Sequence, residues 1–251
     1  MKILTGDKGK MSDRQKKLLQ VIIKEFIDTG EPVGSLSLLD KYQFRLSSAT
    51  IRNEMAELVF RGYLYKKHSS AGRIPTSKGW RFFVDKIEGD DVSYIDASIK
   101  DDVIASLVKV RDEKAVLIRE SLNFLAMLAE NPTIALIENN IFYSGLSYLP
   151  TIPEMKEEDN LKRMLEILED YYTLSEVFNK NIKNHDDVNI LIGEEETGKK
   201  AFKNYSVIYS EIRFKNSKGF IAVIGPNRMN YQKIISSVKY IADTIRFLVS
   251  G

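Results

Sequence analysis

Glycine and proline divide the first third of the chain into short amphipathic segments, and the order of these segments limits the fold more than any other feature. Apolar residues recur at helical spacing within 12–30, 35–42 and 47–62. Two alternating segments, 63–65 and 74–76, then flank a polar loop, as paired strands do. Three helices followed by a two-stranded ribbon predict a winged helix-turn-helix.

The whole chain is predicted to be an α+β protein with four parts. A polar tail at 1–10 precedes the winged helix-turn-helix at 11–88, which closes with a fourth helix at 77–86. Residues 89–132 provide a linker and one long connecting helix, and residues 133–251 form an α+β domain. The pattern in that domain predicts strands at 133–143, 188–192, 205–214 and 220–224 and helices at 158–179 and 231–249. Antiparallel pairing is expected because several strand connections lack a crossover helix.

The long helix, 96–130, carries residues spaced alternately four and three apart, as in a heptad repeat. Lys114 and Ser121 interrupt this seam with polar side chains. The seam consists of Val103, Leu107, Val110, Lys114, Leu117, Ser121, Phe124 and Leu128. Two interpretations remain open: the seam pairs with that of a second chain, or it packs on the sheet of its own domain.

Charge is distributed unevenly along the chain. The net charge is +2, but residues 1–88 carry 17 basic and 10 acidic side chains, and residues 89–251 carry 20 basic and 25 acidic side chains. Within 41–81 there are 9 basic residues and only two acids, Glu54 and Glu57. A basic domain joined to an acidic remainder is expected when the basic part meets a polyanion, and the ribbon and third helix make that polyanion DNA.

The third helix supplies the residues expected to read DNA. Ser47, Ser48 and Thr50 lie at its start, where short hydroxyl donors reach phosphates. Arg52 and Asn53 follow on the predicted outward face. Arginine pairs in bidentate fashion with guanine and asparagine with adenine, so these two residues are predicted to contact base edges.

Basic residues around this helix are predicted to hold the phosphate backbone. The loop of the ribbon contains Lys66, Lys67, His68 and Arg73, which would contact phosphates or the minor groove. Arg45, before the third helix, and Lys78 and Arg81, in the fourth, complete the predicted set. The alternative for any single lysine is an ordinary solvated charge.

Composition excludes several kinds of site. The chain has no cysteine, so disulfides, thiolate zinc sites and iron–sulfur clusters are impossible. Its two histidines, His68 and His185, lie in polar segments, so neither a metal site nor a Ser/His/Asp triad is predicted. Residues 193–200 match G-x-x-x-x-G-K, but Lys200 stands where a nucleotide loop needs Ser or Thr. We therefore predict no enzyme activity, no metal and no cofactor.

The predicted partner is double-stranded DNA in the cytoplasm. No apolar run is long enough to span a membrane, and the N-terminal residues lack the apolar core of a signal peptide. One winged helix rarely makes enough base contacts for operator-grade specificity. A homodimer on an inverted-repeat operator is therefore expected.

Several motifs resemble the HrcA family, the heat-inducible transcription repressors of bacteria. In the basic domain they are Thr29-Gly30-Glu31-Pro32-Val33-Gly34-Ser35, Ser47-Ser48-Ala49-Thr50-Ile51-Arg52-Asn53-Glu54-Met55-Ala56-Glu57-Leu58 and Ser70-Ala71-Gly72-Arg73-Ile74-Pro75-Thr76-Ser77-Lys78-Gly79-Trp80-Arg81. Further on they are Gly145-Leu146, Pro153-Glu154, Ile192-Gly193-Glu194-Glu195, Tyr205-Ser206-Val207 and Gly225-Pro226-Asn227-Arg228-Met229-Asn230-Tyr231.

The resemblance implies a winged-helix domain followed by a GAF-like domain at 133–251 and repression of chaperone operons by a dimer. It also implies that a GroEL-type chaperonin helps to keep the repressor active. The sequence departs from the family in the middle, where only 133–144 separates the long helix from Gly145-Leu146. The dimerisation module that family members carry within the GAF-like domain is therefore expected to be absent.

A different function remains open at the sequence level. The same DNA-binding domain could serve a ligand-sensing regulator of metabolic genes, with the C-terminal domain as its effector pocket. A nucleotide-using enzyme built on 193–200 and a winged helix that contacts only protein or RNA are weaker alternatives.

Overall fold

The computed structural model describes residues 10–42, 47–66, 72–87, 95–182 and 187–250. The chain forms two compact units, Met1–Lys86 and Ile87–Gly251. The predicted polar tail lies almost wholly outside the described residues, as do three predicted DNA-binding residues, Arg45, Lys67 and His68.

The first unit contains four helices and a short antiparallel ribbon in its described part. They are α1 (Asp13–Thr29), α2 (Ser35–Tyr42), α3 (Ser48–Phe60), β1 (Leu64–Tyr65), β2 (Ile74–Pro75) and α4 (Ser77–Val84). The predicted order of three helices, two strands and a helix is confirmed.

The core of the first unit is built by the apolar faces that the helical spacing predicts. Four α1 side chains, Leu18, Leu19, Ile22 and Ile23, are fully buried. The ring of Phe26 on the same helix lies 6.1 Å from that of Trp80 on α4. The residues Ser12-Asp13-Arg14-Gln15 predict a capping box, and α1 begins with one, in which Ser12 and Gln15 each bond to the backbone N–H of the other. It ends at Gly30, whose φ of 71° favours glycine.

The second unit joins helices to one antiparallel sheet. Its α-helices are α5 (Ala97–Lys109), α6 (Lys114–Ala129), α7 (Glu158–Glu169), α8 (Tyr171–Lys180), α9 (Gly193–Thr197) and α10 (Tyr231–Val249). Its strands are β3 (Thr133–Ile137), β4 (Asn140–Ser144), β5 (Asn189–Ile192), β6 (Tyr205–Phe214) and β7 (Ser217–Pro226). The strand order is β4-β3-β7-β6-β5, and every neighbouring pair is antiparallel, as predicted.

Both faces of the sheet are covered by helices. Helices α6 and α10 pack on one face and on each other. The other face packs against α7 and α8 in a cluster that includes Phe178, Tyr209 and Phe220. The ring of Phe178 stacks on that of Tyr209 at 4.7 Å. Burial on both faces makes the sheet the core of this unit.

The prediction of one long helix at 96–130 is wrong. Helix α5 ends at Lys109, and α6 starts anew at Lys114. Lys114 Nζ lies 2.5 Å from Glu138 Oε1 and 2.6 Å from Ser217 Oγ, so the start of α6 is fixed to the end of the sheet. The buried seam residues, including Leu107 and Ser121, lie inside this unit, which favours packing on the chain's own domain.

Two other predicted elements are each divided by a local turn. The strand at 133–143 is a hairpin, and its turn residues Glu138 and Asn139 have φ of 50° and 65°, as in a type I′ turn. The helix at 158–179 is broken at Asp170, whose side chain accepts a 2.9 Å bond from Thr173 N and so caps α8. Helical spacing in 158–179 predicts that Leu165 faces inward, but Leu165 is exposed.

Candidate nucleic-acid interface

Helix α3 presents the polar face that the sequence predicts. Its inward side chains Ile51, Met55 and Leu58 are buried. Ser47 caps the helix, because its Oγ accepts a 3.1 Å bond from Thr50 N. The first turn contains no acidic residue, so the positive end of the helix dipole is not neutralised by its own side chains.

Arg52 and Asn53 project from α3 into solvent. Both are exposed, and among the described residues neither side chain has a hydrogen bond or an ion pair. Ser47 is also exposed, whereas Ser48 and Thr50 are half-buried. The Thr50 hydroxyl lies 2.9 Å from Ser47 Oγ. The helix therefore brings together hydroxyl groups at its first turn and an arginine and an amide immediately after them.

The two acids of segment 41–81 are both ion-paired within the first unit. Glu54, on α3, pairs with Arg14 at the start of α1. Glu57 accepts a 2.7 Å bond from Arg61 Nε one turn further along. Their charges are therefore offset locally, while Arg52 and Lys66 stay exposed. The pairing with Arg14 was missed in the sequence, because the two residues are 40 positions apart and no local spacing connects them.

The ribbon is fixed to the turn that follows α1. Arg73 and Val33 exchange both backbone hydrogen bonds, at 3.0 and 2.8 Å. Gly72 lies so close to this turn that a Cβ there would sit 2.4 Å from Pro32 O. The Arg73 side chain is half-buried, and Lys66 is exposed at the end of β1. The base of the ribbon is thus held by backbone contacts.

Lys78 lies at the other end of α3 from the residues predicted to read bases. Its Nζ donates a 2.8 Å bond to Arg61 O and lies 4.3 Å from the centre of the Tyr63 ring. Because α3 has 13 residues, this point is about 20 Å from the Ser47 end. Arg81 Nη1 lies 3.4 Å from Asp85 Oδ1 on its own helix. The structure therefore does not bring Lys78 together with Arg52.

A buried carboxylate that the sequence did not single out holds α2 against α1. Glu25 accepts a 2.5 Å bond from Lys41 Nζ and a 3.1 Å bond from the Tyr42 hydroxyl. Burial, followed by the bond to Glu25, raises the pKa of Tyr42 above its usual 10.0. These contacts fix the helix that precedes α3 in the chain.

Three observations on the described residues concern metal, nucleotide and membrane functions. In that part of the chain no group of three or more His, Asp or Glu side chains is placed to hold a metal ion. Residues 193–200 form α9 and the turn after it, and Ile192 N donates to Glu196 Oε2 at 2.9 Å. Lys199 Nζ lies 2.6 Å from Glu176 Oε2. No helix of the described chain is long and apolar enough to cross a membrane.

Comparison with known proteins defines the class. Over 339 aligned positions the chain is 28% identical to the heat-inducible transcription repressor HrcA of Thermoanaerobacter pseudethanolicus, covering 96% of this chain and 98% of the relative. It is 30% identical to the heat-inducible transcription repressor HrcA of Clostridium perfringens strain SM101, covering 90% of this chain and 95% of the relative. Both are transcription repressors rather than enzymes. A family model described as HrcA protein C terminal domain matches residues 77–235. The chain belongs to the HrcA family.

A solved structure shares the fold. A crystal structure described as that of a hypothetical protein superposes with a TM-score of 0.75 at 20% identity, covering 96% of this chain and 99% of that chain. The alignment with the Thermoanaerobacter repressor spans 339 positions, whereas this chain has 251 residues, so the relative carries residues that have no counterpart here.

Side-chain contacts join three of the family-like motifs of the second unit. Arg228 donates from Nε to Glu154 Oε1 at 2.6 Å, which joins the turn after β7 to the segment before α7. Ser206 Oγ lies 2.7 Å from both Asn227 Oδ1 and the Tyr231 hydroxyl. These contacts give the motif residues a structural role at the start of α10.

Proposed function

We propose that this protein is a sequence-specific DNA-binding repressor of heat-shock genes. Residues 11–88 act as a winged-helix domain, and α3 is its recognition helix. The observation that carries the proposal is the position of Arg52 and Asn53, exposed one turn after a capped helix start whose other face is buried. Membership of a family of heat-inducible transcription repressors supports the same function.

In the proposed complex the start of α3 enters the major groove. Arg52 pairs with guanine and Asn53 with adenine, because these side chains match the donor and acceptor patterns of those bases. Ser47, Ser48 and Thr50 donate to phosphates on one side of the groove. Lys66 and Arg73 hold the backbone from the ribbon, together with Arg45, Lys67 and His68.

Lys78 and Arg81 are proposed to have a lesser role. Lys78 is occupied by Arg61 O and the Tyr63 ring, and Arg81 lies beside Asp85. Both would have to leave these contacts to reach a phosphate near the start of α3.

The regulatory context is proposed from the family. Residues 133–251 form a GAF-like domain, and two copies of the chain bind an inverted-repeat operator in front of chaperone genes. A GroEL-type chaperonin supports the active form, so repression lapses when unfolded protein occupies the chaperonin. The ordered two-sided core of the second unit is compatible with a structural and assembly role for that domain.

Selection of bound duplexes from a random pool tests the DNA-binding function. Recovery of an inverted repeat, and affinity for it at least tenfold above that for random duplex at equal salt, are the expected results. Equal affinity for recovered and random DNA would overturn the proposed specificity. Preference for single-stranded RNA would point to the RNA-binding alternative.

The link to the chaperonin is tested separately. Operator affinity is measured with and without a purified GroEL-type chaperonin, and again with the chaperonin saturated by an unfolded protein. The proposal expects a larger active fraction with free chaperonin and a loss of that gain on saturation. A stronger response to a small metabolite than to the chaperonin would favour the ligand-sensing alternative.

A further inference from the structure

Strand β4, Asn140–Ser144, forms an edge of the sheet that lacks the usual protection against pairing. It contains no charged residue and no proline, and none of its residues is buried. At the opposite edge, β5 has Asn189, Leu191 and Ile192 buried. Strands at the edge of a sheet have backbone groups free to pair with another strand. Such strands commonly carry lysine, proline or a bulge, or are covered by other elements, and these features prevent that pairing.

The register of the sheet identifies which backbone groups point outward from β4. Ile224 N donates to Pro132 O at 3.2 Å, so Pro132 and every second residue after it bond to β7. The intervening residues of β3, from Thr133 onward, bond to β4. Their partners in β4 are Asn140, Phe142 and Ser144. The N–H and C=O groups of Ile141 and Tyr143 therefore face away from the sheet.

These outward groups have no backbone partner within the described part of the chain. The bonds of β4 to β3 are made by Asn140, Phe142 and Ser144, and no other backbone hydrogen bond of the described residues involves Ile141 or Tyr143. Tyr143 is 39% exposed, and Ile141 is half-buried against the core. The edge is accessible and has donors and acceptors available for a further strand.

We propose that β4 pairs in antiparallel fashion with β4 of a second copy of this chain. A two-fold axis at Phe142 places Ile141 opposite Tyr143 of the second copy. This register uses every outward-facing N–H and C=O group of both strands, and it joins the two sheets into one.

A second copy fits this edge because the strand is complementary to itself. Phe142 would face Phe142, and Ile141 would face Tyr143, which are the aromatic and β-branched pairs that stabilise antiparallel strands. No like charges would meet, because β4 has none. The inference deepens the proposed function, since an inverted repeat requires two copies, and it supplies an interface without the residues that the relatives have and this chain lacks.

Two substitutions at the edge test the interface in the full-length chain. Tyr143→Pro removes an outward N–H that β3 does not use, and Tyr143→Lys adds a charge to each strand. Tyr172→Lys is the matched control, because Tyr172 is a tyrosine of the same unit that is 84% exposed and lies on α8. Far-ultraviolet circular dichroism and thermal melting check that each variant is folded.

Sedimentation analysis over a concentration series measures dimerisation without DNA. The parent chain and Tyr172→Lys are expected to dimerise with equal affinity, and both Tyr143 variants at least tenfold more weakly. A parent chain that stays monomeric up to 100 μM, or folded Tyr143 variants that dimerise like the parent, would overturn the inference.

Amide hydrogen exchange locates the interface directly. The amides of Ile141 and Tyr143 are expected to become protected as the concentration of the parent chain rises, whereas the Phe142 amide, bonded to β3, is protected throughout. Exchange of Ile141 and Tyr143 that is independent of concentration in a dimeric parent would place the interface elsewhere.

The same variants separate this inference from the DNA-binding function. Tyr143→Lys is expected to lose affinity for the inverted repeat but to keep its base preference on a single half-site. Arg52→Ala is expected to lose base preference and still dimerise. Base preference in a monomeric parent would contradict only the interface, and a dimer without base preference would contradict only the proposed function.

Discussion

Val33 and Arg73 exchange backbone hydrogen bonds in both directions, although 40 positions separate them in the sequence. This bridge fixes the base of the basic ribbon to the turn that follows α1. The direction of the ribbon is therefore determined by the chain around Pro32, and any change that separates the two segments should alter where its basic residues lie.

Gly72→Ala is expected to weaken DNA binding by displacing the ribbon. The added Cβ would lie 2.4 Å from Pro32 O, a backbone atom that cannot rotate away. We expect a loss of about 1–3 kcal/mol in the stability of the first unit, as for an overpacked site, and weaker binding to all DNA sequences. Denaturant unfolding and fluorescence anisotropy measure the two effects. Gly34→Ala is the control, because its nearest atom beyond the adjoining residues is Ser37 Oγ at 3.9 Å.

Lys66→Ala is expected to weaken binding without changing sequence preference. Lys66 is exposed beside the ribbon and is assigned to phosphate contact. Removing one such contact should lower the slope of log affinity against log salt by about one and reduce affinity for specific and random duplexes alike. A salt titration on both duplexes measures this. A loss confined to one base sequence would mean that Lys66 reads bases instead.

Glu25→Ala is expected to destabilise the first unit by about 1–3 kcal/mol, because Lys41 and Tyr42 would lose a buried acceptor. Chemical denaturation monitored by the fluorescence of Trp80, which lies in this unit, measures the change. Glu31→Ala, at an exposed position, should leave stability almost unchanged. Equal effects of the two substitutions would show that the bonds to Glu25 contribute little.

The second unit is expected to lose stability as the pH rises above about 10. Burial raises the pKa of Tyr209 above its usual 10.0, so the unfolded chain releases this proton at a lower pH than the folded chain. Ionisation of Tyr209 therefore favours unfolding from about pH 10 upward and has no effect on stability well below that pH. Tyr209→Phe should make urea stability less dependent on pH between about 9 and 11, and Tyr172→Phe, at an exposed position, should not. Identical pH profiles for the parent and Tyr209→Phe would contradict this assignment.

Much of the fold could be predicted from local sequence signals. The bounds of β6 at 205–214 and of α10 at 231–249 agree with the structure, since each element is marked by continuous periodicity and a clear cap or turn. The break between α5 and α6 could not be predicted, because neither glycine nor proline marks 110–113. At this break Lys114 bonds to Glu138 and Ser217, which are distant in sequence, so local signals do not reveal these contacts.

In the candidate site, too, local spacing predicted some features, and tertiary contacts determined others that the sequence could not predict. The inward and outward faces of α3 followed from spacing, and the burial of Ile51 and exposure of Arg52 confirm them. The attachment of Lys78 to Arg61 O depends on a tertiary contact, so composition alone overstated how many cations are available near the start of α3. The pairing of Arg14 with Glu54, which offsets one of the two acids of segment 41–81, also depends on a tertiary contact. The DNA contacts themselves remain predictions.

The central claim is that α3 reads base pairs through Arg52 and Asn53. Its most direct test is the affinity of the parent, Arg52→Ala and Asn53→Ala for the recovered operator and for every single-base variant of one half-site, with Arg111→Ala as an exposed control in the second unit. The account predicts that each variant loses about 1–3 kcal/mol on the operator and becomes indifferent to one base position, while the control matches the parent. Unchanged base preference in both variants would contradict it.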